Sequence, residues 1–132
     1  FVYLFIFVSI FLTLPKQNIS TQEDINVFSE AELNRKLEQG PVFLNFTADW
    51  CITCKVNERV ALKTKSTLNL FKEKEIFYME ADWTNKNKVI AEKLESFGRS
   101  SIPLYVFYPE RGKKPIILPE ILSESVIEDY LN

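Results

Sequence analysis

A chain of 132 residues, 46% of them hydrophobic, is long enough to bury one sizeable core and not comfortably two. Its 16 Lys and Arg stand against 18 Asp and Glu, well mixed, for a net charge of −2, and nothing there suggests nucleic acid, which would leave a basic stripe. Two Cys and no His exclude a disulfide-stapled scaffold, and also a zinc site, which needs about four N or S ligands.

The chain opens at Phe1 rather than Met, the mark of a fragment or a processed chain. Residues 1–14 (FVYLFIFVSIFLTL) are uncharged and run into Pro15-Lys16. As a helix rising ~1.5 Å per residue they would span roughly 21 Å, short of the ~30 Å hydrocarbon core. The run reads first as the tail of a transmembrane helix. A signal-peptide h-region is the rival, weakened by the missing basic n-region and small-x-small site, and a buried strand or core helix is the third reading. Residues 16–24 (KQNISTQED) read as a polar linker.

Ile25-Asn26-Val27-Phe28 reads as a short strand. Ser29-Glu30-Ala31-Glu32 is a capping box that opens a helix to about Glu38, and Gly40-Pro41 stops it. Residues 42–47 (VFLNFT) predict a buried strand with one polar intruder, Asn45. From Cys51 to about Leu62 the chain is helical in character, with Val56, Val60 and Ala61 as its apolar face and Lys55, Asn57 and Arg59 turned to solvent. Ser66 is placed to cap a short helix through Phe71. Residues 76–81 (IFYMEA) predict a strand, and Asp82-Trp83-Thr84-Asn85 the loop leaving it. A helix over 88–97 has Val89, Ile90, Leu94 and Phe97 on one face and Gly98 at its C′ position. A strand over 104–108, a hairpin turn at 110–113 and an edge strand over 115–118 follow, and Ser123 caps a last helix ending near Leu131. The order β-α-β-α-β-α-β-β-α predicts an α/β domain, a mixed central sheet with helices on both faces.

The chemistry concentrates at Trp50-Cys51-Ile52-Thr53-Cys54, where the second strand gives way to its helix. Two cysteines three apart in that setting can attack, hold and release a disulfide in turn. A thiolate at Cys51 gains from the free N–H groups and dipole of the helix start, so Cys51 attacks. Cys54, one turn further in and buried, resolves the mixed disulfide. Glu58 shares that helix face and can take up the proton of Cys54 or act through its charge; the bland alternative is a solvated Glu paired with Lys55. Asn45, six residues before Cys51, can hydrogen-bond but takes up no proton near neutral pH, and a satisfied core amide describes it equally well. Trp50 packs and also stands beside the attacking thiol. Trp83 and Tyr105 read as core, and Pro103 in Ile102-Pro103 as a strand-start proline. Two thiolates also suit Cu(I), and an inert disulfide in a scaffold or adhesion module is a further reading, although a ring across two residues is a poor staple.

The run Phe46-Thr47-Ala48-Asp49-Trp50-Cys51-Ile52-Thr53-Cys54-Lys55-Val56-Asn57-Glu58 resembles the C-terminal domain of DsbD-type thiol:disulfide interchange proteins, within the thioredoxin superfamily. So do Ala81-Asp82-Trp83-Thr84-Asn85, Ile102-Pro103-Leu104-Tyr105-Val106-Phe107-Tyr108-Pro109 and Leu118-Pro119-Glu120-Ile121-Leu122. The resemblance covers about residues 25–132 and implies a thioredoxin-like fold. Residues 1–15 then become the end of a transmembrane helix and 16–24 a linker. It further implies a redox pair at Cys51 and Cys54, an acidic neighbour at Glu58, and a cis Pro103. The loop at Ile102 would face the pair and align a partner chain on it, beside Trp50. No bound cofactor is implied. The implied setting is the inner membrane with the domain in the periplasm. Electrons would come from the membrane domain of the same protein and pass to periplasmic disulfide-bearing proteins. A stand-alone tethered reductase for apocytochrome c thiols would use the same chemistry. Asn45 departs from the pattern, since many members carry Asp there, and Glu58 becomes the one nearby proton acceptor the residues offer. The direction of electron flow, toward reduction of the partner, rests on the resemblance and not on Ile52-Thr53.

Overall fold

Side chains alternate across a strand, and this alternation sorts the central strand β2 (Val42–Thr47) into two faces. Val42, Leu44 and Phe46 enter one core cluster, whereas Phe43 enters the other, on the side to which Asn45 and Thr47 also point. The computed structural model describes residues 25–132. The apolar run 1–14 and the linker 16–24 lie outside the described residues, among which no helix is long and apolar enough to cross a membrane.

Five strands stand in the order β1-β3-β2-β4-β5. β1 (Asn26–Val27) and β2 pair parallel with β3 (Phe77–Asp82), while β4 (Leu104–Tyr108) runs antiparallel to β2 and carries β5 (Ile116–Ile117) on its outer edge. The expected mixed sheet is therefore present. The parallel neighbours need crossovers, supplied by α1 (Glu30–Leu37), by α2 (Ile52–Asn57) with a π-helical turn (Glu58–Leu62), and by α3 (Lys65–Glu73). α4 (Lys88–Ser96) leads to β4, and α5 (Glu124–Leu131) closes the chain. One core cluster joins Leu33 of α1 and Ile90 and Leu94 of α4 to Leu44, Met79 and Val106. The other joins Leu62, Phe71 of α3 and Ile127 of α5 to Phe43, Tyr105 and Phe107. Helices thus cover both faces.

Local signals set most boundaries. The Ser29 hydroxyl accepts from Glu32 N at 3.0 Å, as the capping box requires, and Ser123 caps α5 through Val126 N. Gly98 takes φ +70° just past α4, where a side chain would be strained. Four expectations need correction. Thr64, not Ser66, caps α3, accepting from Thr67 N while Thr67 ties back to Ala61 O. On α4 the inward positions are Ile90 and Leu94, with Phe97 partly buried after them; Val89 sits about 100° off that face and is exposed. Val56 and Val60 are exposed, whereas Asn57, expected in solvent, is 2% exposed. The inward face of α2 follows Cys54, so positions three, four, seven and eight residues on (Asn57, Glu58, Ala61, Leu62) are the buried ones. Two of those four are polar, which is why hydrophobicity misread the phase.

Candidate redox-active site

Cys51 is the N-cap of α2, and its sulfur accepts from Cys54 N at 3.2 Å. Cys51 and Cys54 are joined by a disulfide with Cα atoms 5.2 Å apart. Both are buried, Cys54 completely and Cys51 at 7% exposure, so the pair reaches solvent only through Cys51. Ala48 and Ile102 pack on it. Ile102–Pro103 is a cis peptide, and Ile102 packs on the disulfide from two residues before β4.

The Trp50 side is held from the loop after β3. Thr84 Oγ1 accepts from Asp49 N at 2.9 Å and Thr84 O accepts from Trp50 Nε1 at 3.1 Å, with Thr84 itself bound to Asp82 Oδ1. The indole lies against Trp83, ring centroids 6.2 Å apart, with Lys86 Nζ 5.2 Å from its centre. Trp50 nevertheless stays 48% exposed, so it packs with one side and offers the other beside Cys51. Trp83 is only half-buried, whereas Tyr105 is fully buried as expected.

Behind the pair lies a polar cluster inside the second core layer. Glu58 is 5% exposed, not a solvated helix residue, yet it does pair with Lys55, Nζ to Oε2 at 3.2 Å. Its other oxygen accepts from Thr47 Oγ1 at 2.7 Å and from Asn45 Nδ2 at 3.3 Å. Burial pushes the Glu58 carboxyl up, but the Thr47 hydrogen bond and the Lys55 charge outweigh it, leaving Glu58 below the ordinary glutamate value. Asn45 Nδ2 also donates to Tyr78 OH at 2.8 Å, Tyr78 OH donates to Glu80 Oε1 at 2.9 Å, and Lys63 Nζ lies 3.2 Å from that same oxygen. Asn57 fastens α2 to β4 and the tail, donating to Tyr105 OH at 2.9 Å and Glu120 O at 2.7 Å and accepting from Leu122 N at 3.1 Å. Burial first, against the Asn57 hydrogen bond, pushes Tyr105 up to about 12, so it stays a neutral phenol.

Of the residues singled out in the sequence, Cys51, Cys54 and Ile102 meet in one cluster, and Asn45 and Glu58 meet each other. Thr47, Asn57, Lys63, Tyr78 and Glu80 were missed. Strand parity was the available signal: Asn45 and Thr47 on β2, Tyr78 and Glu80 on β3, and Tyr105 on β4 all face the helix that carries Glu58.

A parallel sheet with an antiparallel hairpin edge, a Cys-x-x-Cys disulfide at a helix start and a cis-proline strand over it define a thioredoxin-like domain. The thioredoxin-like family matches residues 24–110, and the chain belongs to that family. Over 91 residues, 67% of this chain, it is 33% identical to the thiol:disulfide interchange protein DsbD of Actinobacillus pleuropneumoniae serotype 5b (strain L20), of whose length it spans 15%. The C-terminal domain of Neisseria meningitidis DsbD in its reduced form superimposes with a TM-score of 0.63 over 80% of this chain and 96% of that one, at 19% identity. The oxidised form gives 0.62 over 80% and 96%, at 22% identity. At these identities the two structures speak to the fold alone.

Proposed function

We propose that this domain is a thiol:disulfide oxidoreductase that works as a protein-disulfide reductase, with Cys51 and Cys54 as its exchanging pair. The observation that carries this reading is the Cys51–Cys54 disulfide at the head of α2, open to solvent at Cys51 and covered by Ile102. In the reduced domain, the Cys51 thiolate attacks one sulfur of a partner disulfide, forming a mixed disulfide and releasing one partner thiolate. Cys54 then gives up its proton, and its thiolate attacks the Cys51 sulfur. The mixed disulfide breaks, the second partner thiolate leaves, and two electrons have passed to the partner as the Cys51–Cys54 bond re-forms. Glu58, a carboxylate at neutral pH on the helix face of Cys54, is in the form that accepts the Cys54 proton. Ile102 offers backbone to an extended stretch of partner chain, and Trp50, next to Cys51 in the chain, adds an exposed ring.

The partners are periplasmic disulfide-bearing proteins or domains, and the donor is a membrane domain of the same protein, reading the domain as tethered to the inner membrane. The support for the tether is the uncharged run 1–14 with the polar linker 16–24 after it, together with the likeness to a DsbD interchange protein. The test is the reduction potential of the pair, by equilibration against glutathione buffers. A value near or below about −200 mV is expected for an electron donor, and one near roughly −120 mV would make the domain an oxidant and sink the reductase assignment.

A further inference from the structure

The hydrogen bonds behind the disulfide form a chain with a direction. Glu80, 20% exposed and paired with Lys63, accepts the proton of Tyr78 OH. A phenol has one proton to give, so the Tyr78 oxygen can only accept from its other neighbour. Asn45 must therefore present its amino group, and this Nδ2 lies 2.8 Å from Tyr78 OH and 3.3 Å from Glu58 Oε1. Its Oδ1 is buried without a hydrogen-bond partner among the described residues. The turned amide would set Oδ1 against Glu58 Oε1, an arrangement that suits only a protonated Glu58.

We propose that Tyr78 and Glu80 are positioning residues of the redox site: Glu80 sets the direction of the Tyr78 hydroxyl, Tyr78 sets the orientation of the Asn45 amide, and Asn45 so turned holds Glu58 as a carboxylate. The proposal rests on the reading of Glu58 as the group that serves the dithiol. It gives the amide at position 45 a task, and gives the site a second acidic group, Glu80, acting through two intervening side chains. Other titratable groups bear on Glu58: Lys55 from α2, Lys63 after the π-helical turn and Tyr105 from β4. Burial and then the Glu80 charge hold Tyr78 far above the ordinary tyrosine value, so Tyr78 remains a donor throughout the working range.

Tyr78→Phe removes one hydroxyl and no charge, and keeps the ring against Phe43 and Phe71. The Glu58 carboxyl, followed by its carbon-13 resonance in the oxidised protein, is expected to titrate about one pH unit higher in this variant, the worth of one hydrogen bond to a charged group. Tyr108→Phe is the control, because that buried hydroxyl finds no partner among the described residues, and it should leave Glu58 where it was. Glu80→Ala separates orientation from charge. Coulomb's law alone would lower the Glu58 midpoint when an anion is removed, whereas loss of the orienting acceptor raises it. An unmoved midpoint in Tyr78→Phe overturns the proposal, and a fall in Glu80→Ala overturns the part given to Glu80. The pH profile of exchange with glutathione disulfide, taken on the reduced protein, then tests the parent reading. Its acidic limb should move with the Glu58 midpoint and vanish in Glu58→Gln. A moved midpoint with an unmoved profile would keep the positioning and end the role of Glu58 in exchange.

Discussion

Glu58 is the residue at which burial and charge compete most directly. A carboxylate at 5% exposure is stable only because Thr47, Asn45 and Lys55 supply donors to both oxygens. Its folded value lies below the unfolded one, so the stability it contributes is present above the unfolded value of about 4.5 and is lost as pH falls through the folded value. Glu58→Gln, which keeps the shape but not the charge, should therefore cost on the order of 1–2 kcal/mol at neutral pH. The deficit should shrink on acidification below about pH 4, and urea titrations of both proteins at the two pH values would show it. An equal deficit at both would mean that the cost is steric and not electrostatic. The sequence placed Glu58 on the face of Cys54 but left open whether it met solvent. Only the strand beneath, with Thr47 and Asn45 pointing up at it, closed that question.

At the scale of elements, α2 is held by three hydrogen bonds from one side chain more than by apolar contact. Asn57 joins it to Tyr105 on β4, two residues past Pro103, and to the stretch around Glu120 and Leu122 that precedes α5. Arg99 extends the tie, pairing with Glu120 at 2.6 Å from the loop that leads to Ile102. Asn57 and Arg99 therefore tie α2, β4 and the loop before Ile102 to one stretch of chain. Asn57→Ala should unpair buried donors and acceptors and lower stability by about 2–3 kcal/mol, read as a lower urea midpoint with little change in slope. A loss under about 0.5 kcal/mol, the scatter of ordinary surface substitutions, would show that the anchor is dispensable. The outward turn of Val56 and Val60 belongs to the same logic: the phase of α2 follows what Asn57 and Glu58 can bind, not which residues are most apolar.

Across the whole molecule, the sheet separates two core layers, and the redox pair sits at the end of the sheet rather than inside either layer. Ile127 on α5 is fully buried in the layer built on Phe43, Phe71 and Phe107. Ile127→Ala should cost about 2–4 kcal/mol as a cavity, lowering Tm, yet leave the reduction potential of Cys51–Cys54 unchanged. A shifted potential would mean that packing of the far layer reaches the site.

The order of elements, the Ser29 capping box, the Ser123 cap and the dithiol at a strand-to-helix junction were legible in the sequence, because each depends on residues within a few positions of one another. The same holds for the β5 hairpin, where Gly112 at φ +79° supplies the turn. Partners brought together across strands were not legible. Asn45, Glu58, Tyr78 and Glu80 span 35 positions of chain and meet only because parallel pairing of β2 with β3 sets Asn45 opposite Glu80. Register places those side chains on the face under α2, and no local pattern encodes register between strands so far apart. Local pattern was enough to name the dithiol, Trp50, Glu58 and Ile102-Pro103; the partners Thr47, Asn57, Tyr78 and Glu80, the burial of Glu58 and the direction of each hydrogen bond came only with the pairing of distant strands.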